Sequence, residues 1–349
     1  MSLALAPLGV VYGAATRARL ALYRAGLLAM HSVAAPVISV GNITAGGTGK
    51  TPLVEWLAQA VAREGRRVCV LTRGYGRRDA HLRVVVSDGK RILADARAGG
   101  DEPRLLAENL RGLAAVVADR NRVAAACWAL AELQSEVFIL DDGFQHLSLA
   151  RDLDIVTLDA SAPWGGGHLL PRGRLREPLD GLARAHCIVI TRAELVPDLN
   201  ALRAKAAQLS AGRPVFTART RTTRVRPLAP PDAPAPAHFD ATKQPFAAFC
   251  AIGNPQAFFQ HARAAGCDLR HTRAFNDHHN YTQADIDELT RAARQSGAHA
   301  FITTAKDAVK LRALDFALPC FVLEIELVFD EEEELLSLVR AAIAPPRLS

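Results

Sequence analysis

Aromatic residues are scarce in this 349-residue chain, at 6%, and no run of them lies among basic residues. It therefore has no stacking platform for unpaired bases, which argues against nucleic acid as the partner. Cysteine is sparse as well: Cys69, Cys127, Cys187, Cys250, Cys267 and Cys320 stand far apart, with no C-x-x-C pair. That spacing suggests neither a disulfide framework nor a thiolate zinc site, and it suits a reducing cytoplasm. Neither apolar stretch of the amino terminus reaches the ~20 residues that span a bilayer. Acidic residues are in deficit, 36 against 42 Lys and Arg, so the net charge is +6 and the pI about 9.2. Such a surface attracts anions, whether phosphorylated small molecules or an anionic bilayer. Nothing in the composition implies an obligate protein partner.

At 50% hydrophobic content the chain can fill about two cores at roughly 150 residues per domain. The most informative stretch runs from Val37 to Pro52, where an apolar strand enters a glycine-rich turn ending in Gly49-Lys50-Thr51 before a helix over Leu53 to Glu64. Glycines let backbone N–H groups converge on phosphate, lysine reaches the β- and γ-phosphates, and the threonine hydroxyl binds Mg²⁺. We assign ATP binding to Thr44, Ala45, Gly46, Gly47, Thr48, Gly49, Lys50 and Thr51. Thr44 stands where the general G-x-x-x-x-G-K-[ST] motif has glycine, and the alternative is a purely structural turn.

Residues 1–35 carry two apolar stretches, Leu3 to Ala15 and Leu20 to Met30, with Arg17, Arg19 and Arg24 among them. Apolar bulk beside a few arginines fits a helix lying in the interface of an anionic membrane. A core-packing helix is the alternative. A cleaved signal peptide is not expected, because no positive segment precedes the apolar run.

Apolar β-branched runs recur at Val37–Val40, Val68–Leu71, Ala114–Val117, Val137–Leu140, Ile155–Leu158 and Ile188–Thr191, with helical segments between several of them. This alternation predicts an α/β fold, a P-loop NTPase-type parallel sheet covered by helices, over residues 36–225. Arg83–Val86 and the Asp88-Gly89 pair read as a small hairpin. Residues 226–245 are rich in proline and are expected to be a linker. Beyond them, strands at Phe246–Ile252, Ala300–Thr304 and Phe321–Ile325, with helices at Pro255–Ala265 and Gln283–Ser296, predict a smaller α/β domain over 246–349. The cleft between the two is the expected place of the chemistry.

Val137-Phe-Ile-Leu-Asp141-Asp142-Gly143 is an apolar strand ending in two carboxylates, and strand ends of a parallel sheet sit beside the nucleotide. With Thr51, Asp141 and Asp142 are therefore candidate metal ligands, the alternative being a turn. Gln145 and His146 follow closely. In Gly100-Asp101-Glu102-Pro103, Asp101 is either a helix cap or the base that deprotonates an acceptor hydroxyl. His278 and His279 share one loop, and His278 is able to pair with Asp101 if the two domains close. Arg120, Arg122, Arg172 and Arg174 offer bidentate grips for a phosphorylated acceptor, the alternative being a solvated basic face. Arg73 and Tyr75, just after a strand, join them. In Thr303-Thr304-Ala305-Lys306-Asp307 the lysine and aspartate are adjacent, which argues against the N/T-K-x-D guanine reader of a GTPase.

The motifs GNITAGGTGKTP, LTRGYGRR, GDEP, LDDGFQH, LLPRGRLREP, the Asp277-His278-His279 loop and TTAKDAVKL occur in an order that resembles the tetraacyldisaccharide 4′-kinase family over nearly the whole chain. The resemblance implies transfer of the ATP γ-phosphate to the 4′-hydroxyl of tetraacyldisaccharide 1-phosphate, an anionic glycolipid, giving the bisphosphorylated lipid A precursor. It places that reaction on the cytoplasmic face of a bacterial inner membrane. It further implies that Lys50 and Thr51 hold phosphate and Mg²⁺, that Asp141 or Asp142 completes the metal site, and that Asp101 with His278 acts on the hydroxyl. Arg120, Arg122, Arg172 and Arg174 would then face the substrate. An ATP-driven switch protein and a non-enzymatic anionic-lipid binder are the competing readings, separable by whether labelled phosphate reaches lipid.

Overall fold

A computed structural model describes residues 5–228 and 244–344. Twelve strands form one sheet: β1 (Val37–Asn42), β2 (Val68–Thr72), β3 (Val84–Ser87), β4 (Ala114–Ala118), β5 (Val137–Asp141), β6 (Leu153–Asp159), β7 (Cys187–Thr191), β8 (Val215–Pro227), β9 (Pro245–Cys250), β10 (Asp268–Ala274), β11 (Ala300–Thr304) and β12 (Cys320–Phe329). Their spatial order is β10-β9-β11-β12-β8-β7-β6-β1-β5-β2-β4-β3. Pairing is parallel except for β3 with β4 and β8 with β12. The expected parallel α/β sheet is thus present, and the strands of the carboxy-terminal segment extend it.

Helices cover both faces, as continuous apolar strands require. The helices are α1 (Ala6–Arg24), α2 (Lys50–Arg63), α3 (Ala96–Gly99), α4 (Asp101–Asn109), α5 (Arg122–Glu132), α6 (Leu199–Leu209), α7 (Pro255–Ala264), α8 (Gln283–Gln295), α9 (Ala305–Leu311) and α10 (Glu332–Ile343). Leu53, Val54 and Leu57 of α2, Leu106 of α4 and Leu335 and Val339 of α10 pack on one face of the central strands. Ala125, Ala126 and Ala129 of α5 pack on the other. In the carboxy-terminal segment, Phe258 and Phe259 of α7 and Ile286 and Leu289 of α8 do the same for β9 and β11. Asparagine and threonine set these starts: Asn121, Asn254 and Thr282 each accept an N–H of the first turn, and Thr282 forms a capping box with Asp285.

β8 and β10 were not read from the sequence, and β12 was expected only over Phe321–Ile325. β8 reads TARTRTTRVR through its middle, with no apolar face, and pairs with β12 from Ala218–Phe329 to Pro227–Phe321. Its arginines meet the partner's carboxylates: Arg221 with Glu326 at 2.7 Å, Arg224 with Glu324 at 2.5 Å, and Arg226 with Glu324 as well. Residues 229–243 of the proline-rich stretch lie outside the described residues; its flanks Arg226-Pro227 and Pro245 are strand. The Asp88-Gly89 turn returns the chain through a single bridge, Ser87 with Ile92.

The amino-terminal helix stops at Arg24, so the second apolar stretch continues it for one turn only. Gly9 and Gly13 let α1 lie against Leu169 and Arg172, and Tyr12 Oη donates to Arg176 O at 3.0 Å. Val10 and Val11 face outward at 72% and 65% exposure. Among the described residues no helix is long and apolar enough to cross a membrane. All six cysteines are free thiols, and Cys127 alone is exposed.

β1 leaves no room for a side chain at Gly41, where a Cβ would stand 2.4 Å from Phe144 Cβ and 2.6 Å from its backbone nitrogen. Gly41→Ala is expected to cost about 1–3 kcal/mol through overpacking, measured as a lowered urea midpoint. An unchanged midpoint would show that the Phe144 turn yields.

Candidate active site

β1 is flanked by β5 and β6, so the chain leaves its carboxyl end at the point where the sheet order reverses, a usual position for a nucleotide. Gly46 and Gly49 take φ of 111° and 75°, conformations that disfavour a side chain. The loop carbonyls are held from outside. Asn42 Nδ2 donates to Thr44 O at 2.6 Å, Arg174 Nε to Ala45 O at 2.9 Å, Arg192 to Gly47 O at 2.8 Å and Thr191 Oγ1 to Thr48 O at 2.9 Å. The Ala45 N–H is itself given to Arg174 O at 2.6 Å, so the loop is fastened to the bend at Arg174 through both backbone groups of Ala45. Asn42, Thr191 and Arg192 were not expected as site residues; each is polar and buried or half-buried, Asn42 and Thr191 ending strands and Arg192 following β7 directly.

A cavity of about 1310 Å³ opens over this loop, large enough for a nucleotide and part of a second substrate. Thr44 to Thr51, Arg73, Tyr75, Asp141, Asp142 and His278 all line it. Lys50 Nζ stands 3.6 Å from Asp142 Oδ1, and Arg176 donates to the same oxygen at 2.7 Å. Burial pushes the Asp142 carboxyl up, but Lys50 and Arg176 outweigh it and hold the group well below the usual carboxylate range. Asp141 accepts from Thr72 Oγ1 at 3.1 Å, and burial, followed by the charges of Glu102 and Asp142, pushes it up to about 7. Two neighbouring strand-end carboxylates that repel one another, with the Thr51 hydroxyl on the same cavity wall, are a hard oxygen donor set suited to Mg²⁺. Among the described residues no three His, Cys, Asp or Glu side chains form a metal cage, which is the usual case for an ion completed by phosphate oxygens.

His278, on the cavity wall, pairs with Asp101 of α4, a residue that is buried and does not itself line the cavity. Asp101 opens α4, and Gly100 at φ 104° occupies the cap position, so Asp101 is the first helical residue and not the cap. Its Oδ1 accepts the Glu102 N–H at 2.9 Å. His278 Nδ1 lies 3.0 Å from both Asp101 oxygens, and Lys310 Nζ is 3.4 Å from Oδ2. Burial raises the Asp101 carboxyl, yet His278, Lys306 and Lys310 together bring it down to about 2. Burial lowers the His278 imidazole, and the hydrogen bond to Asp101 overcomes this to raise it. His278 adopts φ of 61°, an uncommon conformation for histidine that aims the ring at α4. His279 turns away, 3.2 Å from Asp285 and stacked on Phe275.

The remaining expected residues do not line the cavity. Gln145 donates to Asn42 O at 2.7 Å and Glu177 Oε1 at 2.6 Å, bracing β1. Arg122 is buried, donates to Asp119 O, and is lowered to about 10 chiefly by burial. Arg120 is exposed in the loop just before the α5 cap, Asn121. Arg172 lies against α1, and Arg174 lies against the phosphate loop at Gly46. Arg176, the third arginine of the same run, is the one that reaches the cavity. Burial and the charges of Arg122, Arg151, Arg19 and Arg73 lower His146 to about 4, which marks a basic region beside the cavity.

The LpxK family profile, described as tetraacyldisaccharide-1-P 4′-kinase, matches residues 1–344. The chain belongs to the tetraacyldisaccharide 4′-kinase family. Relatives of that name include one from Anaeromyxobacter sp. (strain Fw109-5), 42% identical over 94% of this chain and 89% of its own length. Another, from Geobacter metallireducens, is 42% identical over 88% of each. The crystal structure of Aquifex aeolicus LpxK in complex with ATP is 32% identical and superposes with a TM-score of 0.79, covering 98% of this chain and 99% of its own.

Asp101 carries a pH signature that can be measured. Its folded value of about 2 lies below that of an unfolded aspartate, ~3.9, so the ionised form favours the native state above about pH 4. The contribution, on the order of 2–3 kcal/mol, disappears as pH falls through the folded value. In Asp101→Asn both this contribution and the raise that Asp101 gives His278 are missing, so the difference in urea-unfolding free energy from wild type is largest near pH 5, narrows below about pH 4 as Asp101 protonates, and narrows again as pH rises through the His278 imidazole. A difference that widens below about pH 4 would contradict the assignment.

Proposed function

We infer that this protein transfers the γ-phosphoryl group of ATP to the 4′-hydroxyl of tetraacyldisaccharide 1-phosphate. The observation that carries this reading is the buried Asp101–His278 pair held over a cavity floored by the glycine loop, in a chain of the 4′-kinase family. Asp101 takes the proton of the acceptor hydroxyl as the O–P bond forms, and the bond from γ-phosphorus to the β,γ-bridging oxygen breaks to release ADP. A carboxylate near pKa 2 is a weak base, which suits a loose transition state in which the hydroxyl proton is lost late. Thr44 to Thr51 cradle the phosphates, and Lys50 balances the charge that develops on them. Mg²⁺ bound by Thr51 and Asp141 or Asp142 would neutralise β- and γ-oxygens.

The acceptor is an anionic glycolipid. Arg73 and Tyr75 on the cavity wall, with Arg120, Arg172 and Arg174, form its binding face in this reading, and buried Arg122 and the bracing Gln145 are left out of it. The outward valines of α1 and the apolar residues Leu27, Leu28 and Met30 enter the lipid interface, on the cytoplasmic face of the inner membrane, where acyl chains remain embedded. Residues 36–225 act as the phosphate-binding domain and 246–349 as the smaller domain that supplies His278, with 226–245 as the connection.

With [γ-³²P]ATP, Mg²⁺ and tetraacyldisaccharide 1-phosphate in detergent micelles, wild type is expected to yield labelled bisphosphorylated lipid and Lys50→Ala none. Hydrolysis of ATP without labelled lipid would overturn the reading. Asp101→Ala and His278→Ala are each expected to lower kcat by about 10²-fold or more with little change in ATP affinity, as groups acting on the transferred proton do. Sedimentation with anionic vesicles tests the membrane reading: Val10→Asp combined with Val11→Asp should shift protein to the supernatant, and unchanged pelleting would exclude α1 as the contact.

A further inference from the structure

One cavity-lining cation has no task in the reaction as described above. Lys306 is the second residue of α9, and its side chain is only 15% exposed. Nζ donates to Glu102 Oε1 at 2.8 Å and to Asp277 Oδ1 at 3.1 Å, and it stands 3.4 Å from His278 Nε2. An ammonium has three protons and no lone pair, so these three neighbours match its full donor capacity. A nitrogen facing such a donor must offer its lone pair. His278 then carries its proton on Nδ1, the nitrogen directed at both oxygens of Asp101.

The placement is built, not incidental. Asp307, fully buried, accepts from Thr304 Oγ1 at 2.7 Å, Tyr281 Oη at 3.1 Å and the Ala251 N–H at 3.1 Å. Ala251 O in turn accepts the His278 N–H at 3.3 Å. One buried carboxylate therefore fixes both the helix start that carries Lys306 and the loop that carries His278. The groups facing the imidazole are Asp101 and Glu102 from α4, Lys306 and Lys310 from α9, Asp277 beside it, and the Tyr75 ring at 4.9 Å. With Glu102 and Asp277 already on Lys306, a phosphate group would have to displace carboxylates to reach it.

We infer that Lys306 is a positioning residue for the Asp101–His278 pair: its ammonium occupies the Nε2 lone pair of His278, selects the tautomer with Nδ1–H toward Asp101, and ties that ring to Glu102 across the cavity. The inference rests on the proposed role of Asp101 as the base, and its test includes a readout independent of that role. In the ³²P-transfer assay, Lys306→Met is expected to lower kcat by about 10²-fold while the KM for ATP stays within about threefold, and Lys306→Arg, which keeps a cationic donor, restores part of the rate. In ¹⁵N spectra of histidine-labelled protein at about pH 9, where a neutral ring is observed, His278 is assigned by comparison with His278→Asn. Wild type should show protonated Nδ1 and bare Nε2, and Lys306→Met should show mixed or reversed tautomers. A protonated Nε2 in wild type overturns the inference, and that spectrum decides it even if Lys306→Met does not fold. Unchanged His278 shifts in a folded Lys306→Met, or a raised KM for ATP with kcat intact, overturns it as well. Failure of wild type to label lipid would instead count against the proposed reaction, leaving the nitrogen spectrum to judge Lys306.

Discussion

A single carboxylate of the amino-terminal half, Asp101, is gripped by the carboxy-terminal half, and the cavity takes its form from that contact. His278 and Lys310 touch it directly, and Lys306 reaches the adjacent Glu102. Buried charge is costly unless it is paired and hydrogen-bonded. These partners belong to a segment separated from Asp101 by about half the chain, so the buried charge is satisfied only when α4 meets α9 and the His278 loop. The bidentate pair between Arg312, at the carboxyl cap of α9, and Glu108, two turns along α4, reinforces the same alignment at 2.6 Å for each bond.

The floor of the cavity obeys a different constraint. There the loop takes its shape from its neighbours, which hold its carbonyls from outside. Asn42, Thr48, Thr157 and Thr191 form one buried chain of hydrogen bonds beneath the loop. Such a network is rigid because every member has a partner, and a rigid cradle loses little entropy when a charged ligand arrives.

Much of this was legible in the residues. The parallel strands were visible as β-branched runs because both faces of each are buried, and the glycine loop because only a turn that must expose N–H groups combines glycine with a terminal Gly-Lys-Thr. Asp141 and Asp142 were visible as charges ending an apolar strand. What escaped notice had no apolar signature. β8 alternates threonine and arginine because it is held by cross-strand charge pairs and is exposed along much of its length. Spacing alone could not separate His278 from His279, since the choice depends on a backbone at φ 61° and on a stacking partner, Phe275. Arg176 was hidden in a run of three alternate arginines, of which the first two turn to α1 and to the phosphate loop.

The distribution of thiols has a practical consequence. Five of the six cysteines are sealed in the core, where burial drives their ionisation upward, to about 12 for Cys69 and Cys187. A maleimide attacks thiolate and needs access. The native chain therefore already holds a single chemically addressable atom, Cys127 Sγ on α5, on the face of the sheet opposite α2. A fluorophore or spin label can be placed there without altering any other residue, giving a reporter fixed to the amino-terminal half.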